Sequence, residues 1–462
     1  MSDCLSLPLQ GMRVLDLSYV FAVPYMAGLM SDLGAEVIKI EGPHKLDQTR
    51  GRAFGPYLDN QTGQDPWNRS GIFHVLNRGK KSMVLDMGTE QGRDIFRNLV
   101  LKSDFVLENF TPRVMRKWGF HYDELKKIKP SIIMLSNTGY GASGPWSSFP
   151  SQGTTLEATM GITYYTGYRG DKPWKVGQSY PDFLACWTGL NAVFAALAHR
   201  RKTGLGQWVD LGMYQVGAAL VPQAILNEQI HGPAMERMGN EDTQHVPSNL
   251  YRAAGPDQWL ALTVTDDEQW VSLTKLMGQP ELAQDERMRS ASARRKHRDE
   301  VNAVLTRWVL GHDAMELTHA LQSLGIAAGP VMHCRDLLLD EHLKARGFYE
   351  IVQHGDPIGP RPIISRPYRL KYRDAHIRKR APRFGEDNQA IMRDLLSMSP
   401  EQIQAAYAAG AVQDAPTQPG RSGTTDIEQG LRLGTLTLVD PDYKSRLGID
   451  QAVQEVPEQD ER

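Results

Sequence analysis

Asp182 follows Tyr180-Pro181 and stands immediately before the apolar run Phe183 to His199. A carboxylate at the opening of a helix accepts hydrogen bonds from the free N–H groups of the first turn, and capping is the plainer reading of its type and position. The helix dipole also keeps such a carboxylate ionised near neutral pH, so the same residue is available as a nucleophile toward an activated acyl group. The two roles are compatible, and the residue alone leaves both open.

Cations gather in two places. Asn77-Arg78-Gly79-Lys80-Lys81 concentrates three of them in one turn ahead of a strand, and Arg113, Arg116 and Lys117 follow Asn109-Phe110. Either group suits the phosphates of a nucleotide-like ligand, with a solvated basic turn as the plainer alternative. The loop Ser18 to Pro24 leads into a helix whose free N–H groups can hold an anion, although it contains no glycine. Gly139-Tyr140-Gly141-Ala142-Ser143-Gly144 spells GxGxxG after a strand, but Pro145 and Trp146 stand where the dinucleotide fingerprint needs a helix to open. A glycine turn beside a ligand or at the surface fits that segment better. Tyr164, Tyr165, Tyr168, Trp174 and Tyr180 form an aromatic stretch ahead of Asp182. They suit a pocket for a bulky acid as well as they suit a core or an interface. Arg169, Lys172 and Lys175 in the same stretch could meet a second carboxylate.

Other chemistries find little support. There is no HExxH, and His312, His319, His333 and Cys334 lack a third metal ligand at useful spacing. No G-x-S-x-G elbow occurs. A net charge of -2 over 462 residues gives no basic field for a phosphodiester backbone, so no nucleic-acid partner is expected. Cys4, Cys186 and Cys334 are widely separated, which points to a reducing compartment and a cytoplasmic location. Met1 to Pro8 is too short and polar for a signal peptide. The run Phe183 to His199 is broken by Thr188 and Asn191 and followed by Arg200, Arg201 and Lys202, so it reads as a buried helix, with no membrane partner.

These residues need elements to position them. Arg13 to Leu17, a helical stretch Pro24 to Leu33, and Ala35 to Ile40 form a β-α-β unit. Ser82 to Met87, Glu90 to Lys102 and Asp104 to Glu108 repeat it, and Ser131 to Ser136 adds a strand. Alternation of this kind predicts an α/β fold with a Rossmann-like large domain and a mainly parallel sheet. Gln207 to Met213 reads as a further strand and Tyr214 to Ile230 as one helix. The expected division is a large domain over 1–225, a linker or active-site loop over 226–248, and a small α+β domain over 249–347. A return segment over 348–410 completes the large domain, and a polar C-terminal tail, partly disordered, occupies 411–462.

Several segments together resemble the family III CoA-transferases, the superfamily of formyl-CoA transferase, carnitine CoA-transferase and α-methylacyl-CoA racemase. They are Leu9 to Leu17 (LQGMRVLDL), Leu33 to Glu41 (LGAEVIKIE), Asn77 to Asp86 (NRGKKSMVLD), Asp104 to Phe110 (DFVLENF), Thr203 to Met213 (TGLGQWVDLGM) and Gly325 to Val331 (GIAAGPV). The resemblance implies that Asp182 is the catalytic carboxylate, passing CoA between acids through a mixed anhydride and an aspartyl-CoA thioester. It places the CoA-binding positions on Val20, Phe21, Ala22, Asn77, Lys80, Lys81, Asn109, Phe110, Lys117, Thr138 and Tyr140. It further implies a CoA thioester as substrate, with no permanently bound cofactor and no metal. The expected donor is succinyl-CoA and the acceptor an aromatic or dicarboxylic acid. The implied assembly is an interlocked homodimer, or a heterodimer with a related chain. A racemase would place a histidine where Gln152 stands, and glutamine cannot act as a general base. The remaining alternative is a non-catalytic subunit of a heteromer.

Overall fold

The computed structural model describes residues 6–51, 56–177, 180–232, 236–355, 357–371, 375–420 and 422–450. Cys4 lies outside them. The large unit takes in Met1–Ile162, Val176–Pro222 and Glu341–Arg462, and the second comprises Thr163–Lys175 and Gln223–Asp340.

Six short strands, β1 (Arg13–Asp16), β2 (Glu36–Glu41), β3 (Lys81–Val84), β4 (Phe105–Glu108), β5 (Ile133–Thr138) and β6 (Trp208–Gly212), form one sheet in the order β3-β2-β1-β4-β5-β6. Every pairing in it is parallel. The order reverses between β1 and β4, which is the switch point at which doubly wound folds bind ligands.

Alternation along each strand divides the core in two. Val14, Val37, Leu107, Ile133 and Leu135 face one layer, built by α1 (Ala22–Asp32) and the later helix Tyr180–Thr203. Leu15, Ile38, Ile40, Val106 and Met134 face the other, where Ile95, Phe96, Leu99 and Val100 of the helix Glu90–Leu101 pack. With both faces covered, the strands are near-continuous apolar runs, as parallel sheets require. The helix Tyr180–Thr203 is long and apolar enough to span a membrane by length and composition. One side of it is buried all the same: Ala185, Cys186, Gly189, Leu190, Val193, Ala196 and Leu197 make a stripe against the core. Gly189 lets α1 approach, since a Cβ there would sit 3.1 Å from Met26 Sδ.

The return segment forms an antiparallel hairpin, Tyr349–Gln353 with Pro360–Ile364, and then covers the sheet edge. Asp387 Oδ2 accepts from Ser82 N and Asn388 Oδ1 from Val84 N, each at 2.8 Å, so β3 presents no bare edge. The expected polar tail is docked at several points, although most of its described residues are exposed. Ala411 and Val412 are buried, Thr417 N donates to Pro43 O at 2.9 Å, and Asn60 exchanges two hydrogen bonds with the backbone of Thr425. Backbone and side-chain hydrogen bonds anchor this tail at Thr417, Thr425, Tyr443 and Lys444, and hydropathy does not register them; residues 451–462 lie outside the described ones.

The second unit holds an antiparallel sheet of Ser248–Arg252, Trp259–Thr263 and Ala327–Pro330 beneath helices, with Trp270 fully buried in its core. Its bounds differ from the expected 249–347. Pro222 breaks the predicted single helix into Met213–Ala218 and Pro222–His231, so only the start of the expected linker, 226–231, is helical. The segment 163–175, expected in the large domain, belongs to this unit. Arg237 donates to the carbonyls of Tyr164 and Asp171 at 2.9 and 2.7 Å, Arg169 pairs with Glu236, and Gly239 N donates to Gly167 O.

Candidate active site

The loop after β1 lies at the switch point. Val20 adopts φ +71°, a left-handed conformation that a β-branched residue takes only under constraint, at a cost of about 1–3 kcal/mol. The constraints are visible. Asn109, from the loop after β4, accepts from Tyr19 N at 2.9 Å and donates to Tyr19 O at 2.7 Å, and Val20 N donates to Asp47 Oδ1 at 3.2 Å. Phe110 meets the Tyr19 ring edge-on at 5.8 Å.

Beneath this loop lies a fully buried ionic network. Lys80 Nζ donates to Asp16 Oδ2, Pro24 O and Asn77 Oδ1 at 2.6, 2.8 and 2.8 Å. Lys39 Nζ donates to Ser18 O at 2.7 Å and pairs with Asp47 at 3.2 Å. Burial opposes the Asp16 charge, but Lys80 and Lys39 outweigh it and hold the carboxyl below its ordinary range. Burial pulls Lys80 down to about 8 against the opposing attraction of Asp16. The expected ligand contacts Asn77 and Lys80 are therefore scaffold for the loop and do not line the cavity. Their charge and polarity are consumed by buried partners, which sequence spacing does not reveal. Lys81 points elsewhere and pairs with Glu36 at 2.7 Å.

Above the network a cavity of about 500 Å³ opens at the ends of β1, β4 and β5. Among the expected residues, Val20, Phe21, Ala22, Asn109, Phe110, Thr138, Tyr140 and Asp182 line it. Arg113 lines it too, whereas Lys117 is exposed on the helix Arg113–Trp118 and lines no described cavity. Lys45, Gln48 and Asn137 also contribute, and sequence reading passed over all three. Asn137 had a signal: it is an amide standing where the strand pattern calls for an apolar side chain. Lys45 had none.

The glycine turn after β5 shapes one wall. A Cβ at Gly139 would fall 1.9 Å from Ser151 Oγ, so only glycine admits the 151–152 segment. Ala142 N donates to Asp210 at 2.9 Å, and Tyr140 packs edge-on to Trp146 and Phe149 at 5.5 and 6.1 Å. The turn is thus a ligand-side loop without the helix of a dinucleotide site. Gln152 opens the helix Gly153–Thr159, with its N–H donating to Thr155 Oγ1 at 3.0 Å.

Asp182 sits in the first turn of the helix Tyr180–Thr203, two residues inside its start and not at the cap position. Burial pushes its carboxyl up to about 6, opposed by its own backbone N–H, and among the described residues no cation pairs with it. It is half-buried and mostly ionised at neutral pH, so it is available for nucleophilic attack. Glu108, at the end of β4, is raised to about 7 by burial, against hydrogen bonds from Ser136 and the Phe110 N–H. It borders a separate cavity of about 70 Å³. Tyr164, Tyr165, Tyr168, Trp174, Arg169, Lys172 and Lys175 fall in the second unit, and the Asp182 cavity is lined wholly by the first.

The profile of CoA-transferase family III matches residues 9–388. The chain is 33% identical over 402 residues to a succinyl-CoA–D-citramalate CoA-transferase of Chloroflexus aurantiacus, covering 87% of this chain and 97% of that protein. It is 30% identical to a succinate–glutarate CoA-transferase of Agrobacterium fabrum, covering 84% and 96%. A solved CAIB/BAIF family protein from Brucella suis superposes with a TM-score of 0.77 at 31% identity, covering 85% of this chain and all of that one. The fold, the cavity at its switch point and these similarities agree, and the chain belongs to CoA-transferase family III.

Proposed function

We propose that the protein transfers CoA from succinyl-CoA to a dicarboxylic acid with Asp182 as the covalent relay. The observation that carries this reading is the placement of a half-buried carboxylate in a 500 Å³ cavity at the switch point of the sheet. Lys45 and Arg113 line the same cavity and supply cations for the phosphates of a CoA thioester. The free N–H groups at the start of α1, which has no side-chain cap, add neutral donors.

The chemistry needs no net proton transfer. An Asp182 oxygen bonds to the thioester carbonyl carbon, the C–S bond breaks, and CoA thiolate leaves with the electron pair. The thiolate then attacks the Asp182 carbonyl of the mixed anhydride, releasing the donor acid and leaving an aspartyl thioester. The acceptor carboxylate attacks that thioester, and the returning thiolate cleaves the second anhydride on the acceptor side. Each intermediate is an activated acyl group, so the reaction runs without ATP.

The dicarboxylic acceptor is supported by the relatives, whose named acids, citramalate and glutarate, carry two carboxylates. An aromatic acceptor lacks such support, because neither relative is named for an aromatic acid. For a racemase, Gln152 stands in place of the expected histidine, and the described residues that line the cavity include no histidine to pair with Asp182. The test is transfer from succinyl-CoA to a panel of dicarboxylic, monocarboxylic and aromatic acids. Turnover with dicarboxylic acids only is expected. Exchange of the α-proton of a branched acyl-CoA without transfer would overturn the reading.

A further inference from the structure

Just after β2, Pro43 and His44 form a tight turn that brings Gly42 and Lys45 together as an antiparallel bridge. Tyr19 holds the mouth of that turn. Its hydroxyl accepts from Gly42 N and donates to Lys45 O, both at 3.0 Å, and burial raises the phenol above its ordinary range, so it stays a hydroxyl. Asn109 grips the Tyr19 peptide, and Lys45 is thereby set at the wall of the Asp182 cavity. Lys45 makes no ion pair with any described residue, so its charge is available to a ligand.

The tip of the turn is held from the far end of the chain. Thr417 N donates to Pro43 O at 2.9 Å, Thr417 Oγ1 donates to the same carbonyl at 3.0 Å, and His44 Nδ1 lies 2.9 Å from that Oγ1. His44 Nε2 reaches Asp86 Oδ2 at 3.1 Å, and Asp86 N donates to Ala411 O at 2.9 Å. The tail is itself anchored nearby, where Asp414 Oδ1 accepts from Asn388 Nδ2 at 2.7 Å and from the Tyr407 hydroxyl at 2.8 Å. Pro416 and Pro419 stiffen the backbone on either side of Thr417. Thr417 lies beyond residues 9–388, the span that the family profile matches.

We propose that Thr417 is a positioning residue for the acyl-CoA, clamping the Pro43–His44 turn so that Lys45 is presented to the CoA phosphates; this rests on the reading of Lys45 as a phosphate contact. Thr417 acts through the turn. An exposed turn carrying a long cationic side chain has conformational freedom to lose when a ligand is bound, and a clamp at its tip removes part of that freedom beforehand. Releasing the clamp therefore lowers affinity for the acyl-CoA more than it slows the chemistry at Asp182.

The experiment measures KM for succinyl-CoA, kcat and Tm on full-length wild type, Thr417→Pro, Thr417→Val, Thr417→Ser, Lys45→Met and the Lys45→Met/Thr417→Pro double variant. Proline removes both donors of Thr417, valine removes the hydroxyl alone, and serine keeps both. The expected result is a rise in KM of about 3–10-fold in Thr417→Pro, with a smaller change in kcat and little change in Tm. A lesser rise is expected in Thr417→Val, wild-type behaviour in Thr417→Ser, and no further rise when Thr417→Pro is added to Lys45→Met. Wild-type KM in Thr417→Pro overturns the proposal, as does an equal factor in both backgrounds, which shows that the clamp does not act through Lys45. A fall in kcat and Tm in step with the rise in KM also overturns it and marks a merely structural residue. Wild-type KM in Lys45→Met overturns the phosphate reading of Lys45 itself, separately from any effect at Thr417.

Discussion

Asn109 grips the peptide of Tyr19 from both sides, its Oδ1 accepting from Tyr19 N at 2.9 Å and its Nδ2 donating to Tyr19 O at 2.7 Å. This amide ties the loop after β1 to the loop after β4 across the switch point and holds Val20 at its positive φ. Asn109→Ala is expected to cost about 1–2 kcal/mol of stability and to raise KM for the acyl-CoA more than it lowers kcat. Asn109→Asp keeps the acceptor but places a carboxylate oxygen against Tyr19 O, so it rescues neither. Denaturant unfolding and steady-state kinetics of the two variants check this.

Lys80 separates scaffold from ligand contact. Replacing it with Met strips Asp16 of its closest cation, and loss of one member of a buried pair costs about 3 kcal/mol or more. The expected outcome is a lowered Tm in the absence of any substrate. A phosphate ligand would show the opposite signature, an unchanged Tm with a raised KM.

The Asp182 carboxyl gives the rate a pH signature. Its nucleophilic form is lost as pH falls through about 6, so kcat/KM is expected to decline on the acid side with an apparent pKa near that value and to level off above it. A profile flat down to pH 5 contradicts this.

The same shift makes Asp182 a burden on the fold. A carboxyl raised above its unfolded value stabilises most below that unfolded value, and the benefit is lost as pH rises through the folded value. Asp182→Asn is therefore expected to stabilise the protein at pH 7 by on the order of 1–2 kcal/mol while abolishing transfer, and the gain should vanish near pH 4. Thermal melts at both pH values test it.

Much of this was legible from residue order. The near-continuous apolar strands and the stripe on the helix after Asp182 specify the two faces of the sheet, and those faces bring Val20, Asn109, Thr138 and Asp182 together. Charge was less legible. Lys80 and Lys117 read alike in sequence, yet one is buried on Asp16 and the other faces solvent, because partners as distant as Asp16, Lys39 and Asp47 meet only through the β1–β2–β3 register. Asn137 carried its signal in plain sight, as a polar break in an alternating apolar face. The break at Pro222 shows the converse, where helical periodicity outweighed a residue that ends a helix.

Oxygen tracing bears most directly on the central claim. In the proposed sequence the acceptor carboxylate bonds to the Asp182 carbonyl carbon, and cleavage on the acceptor side leaves one acceptor oxygen on Asp182. A single turnover with an acceptor labelled with oxygen-18 in its carboxylates, followed by mass analysis of the peptide holding Asp182, is expected to show one heavy oxygen on that side chain, and each later turnover passes one Asp182 oxygen, heavy or light, to the released donor acid. Full transfer activity with no heavy oxygen on Asp182 would contradict a covalent role for this residue.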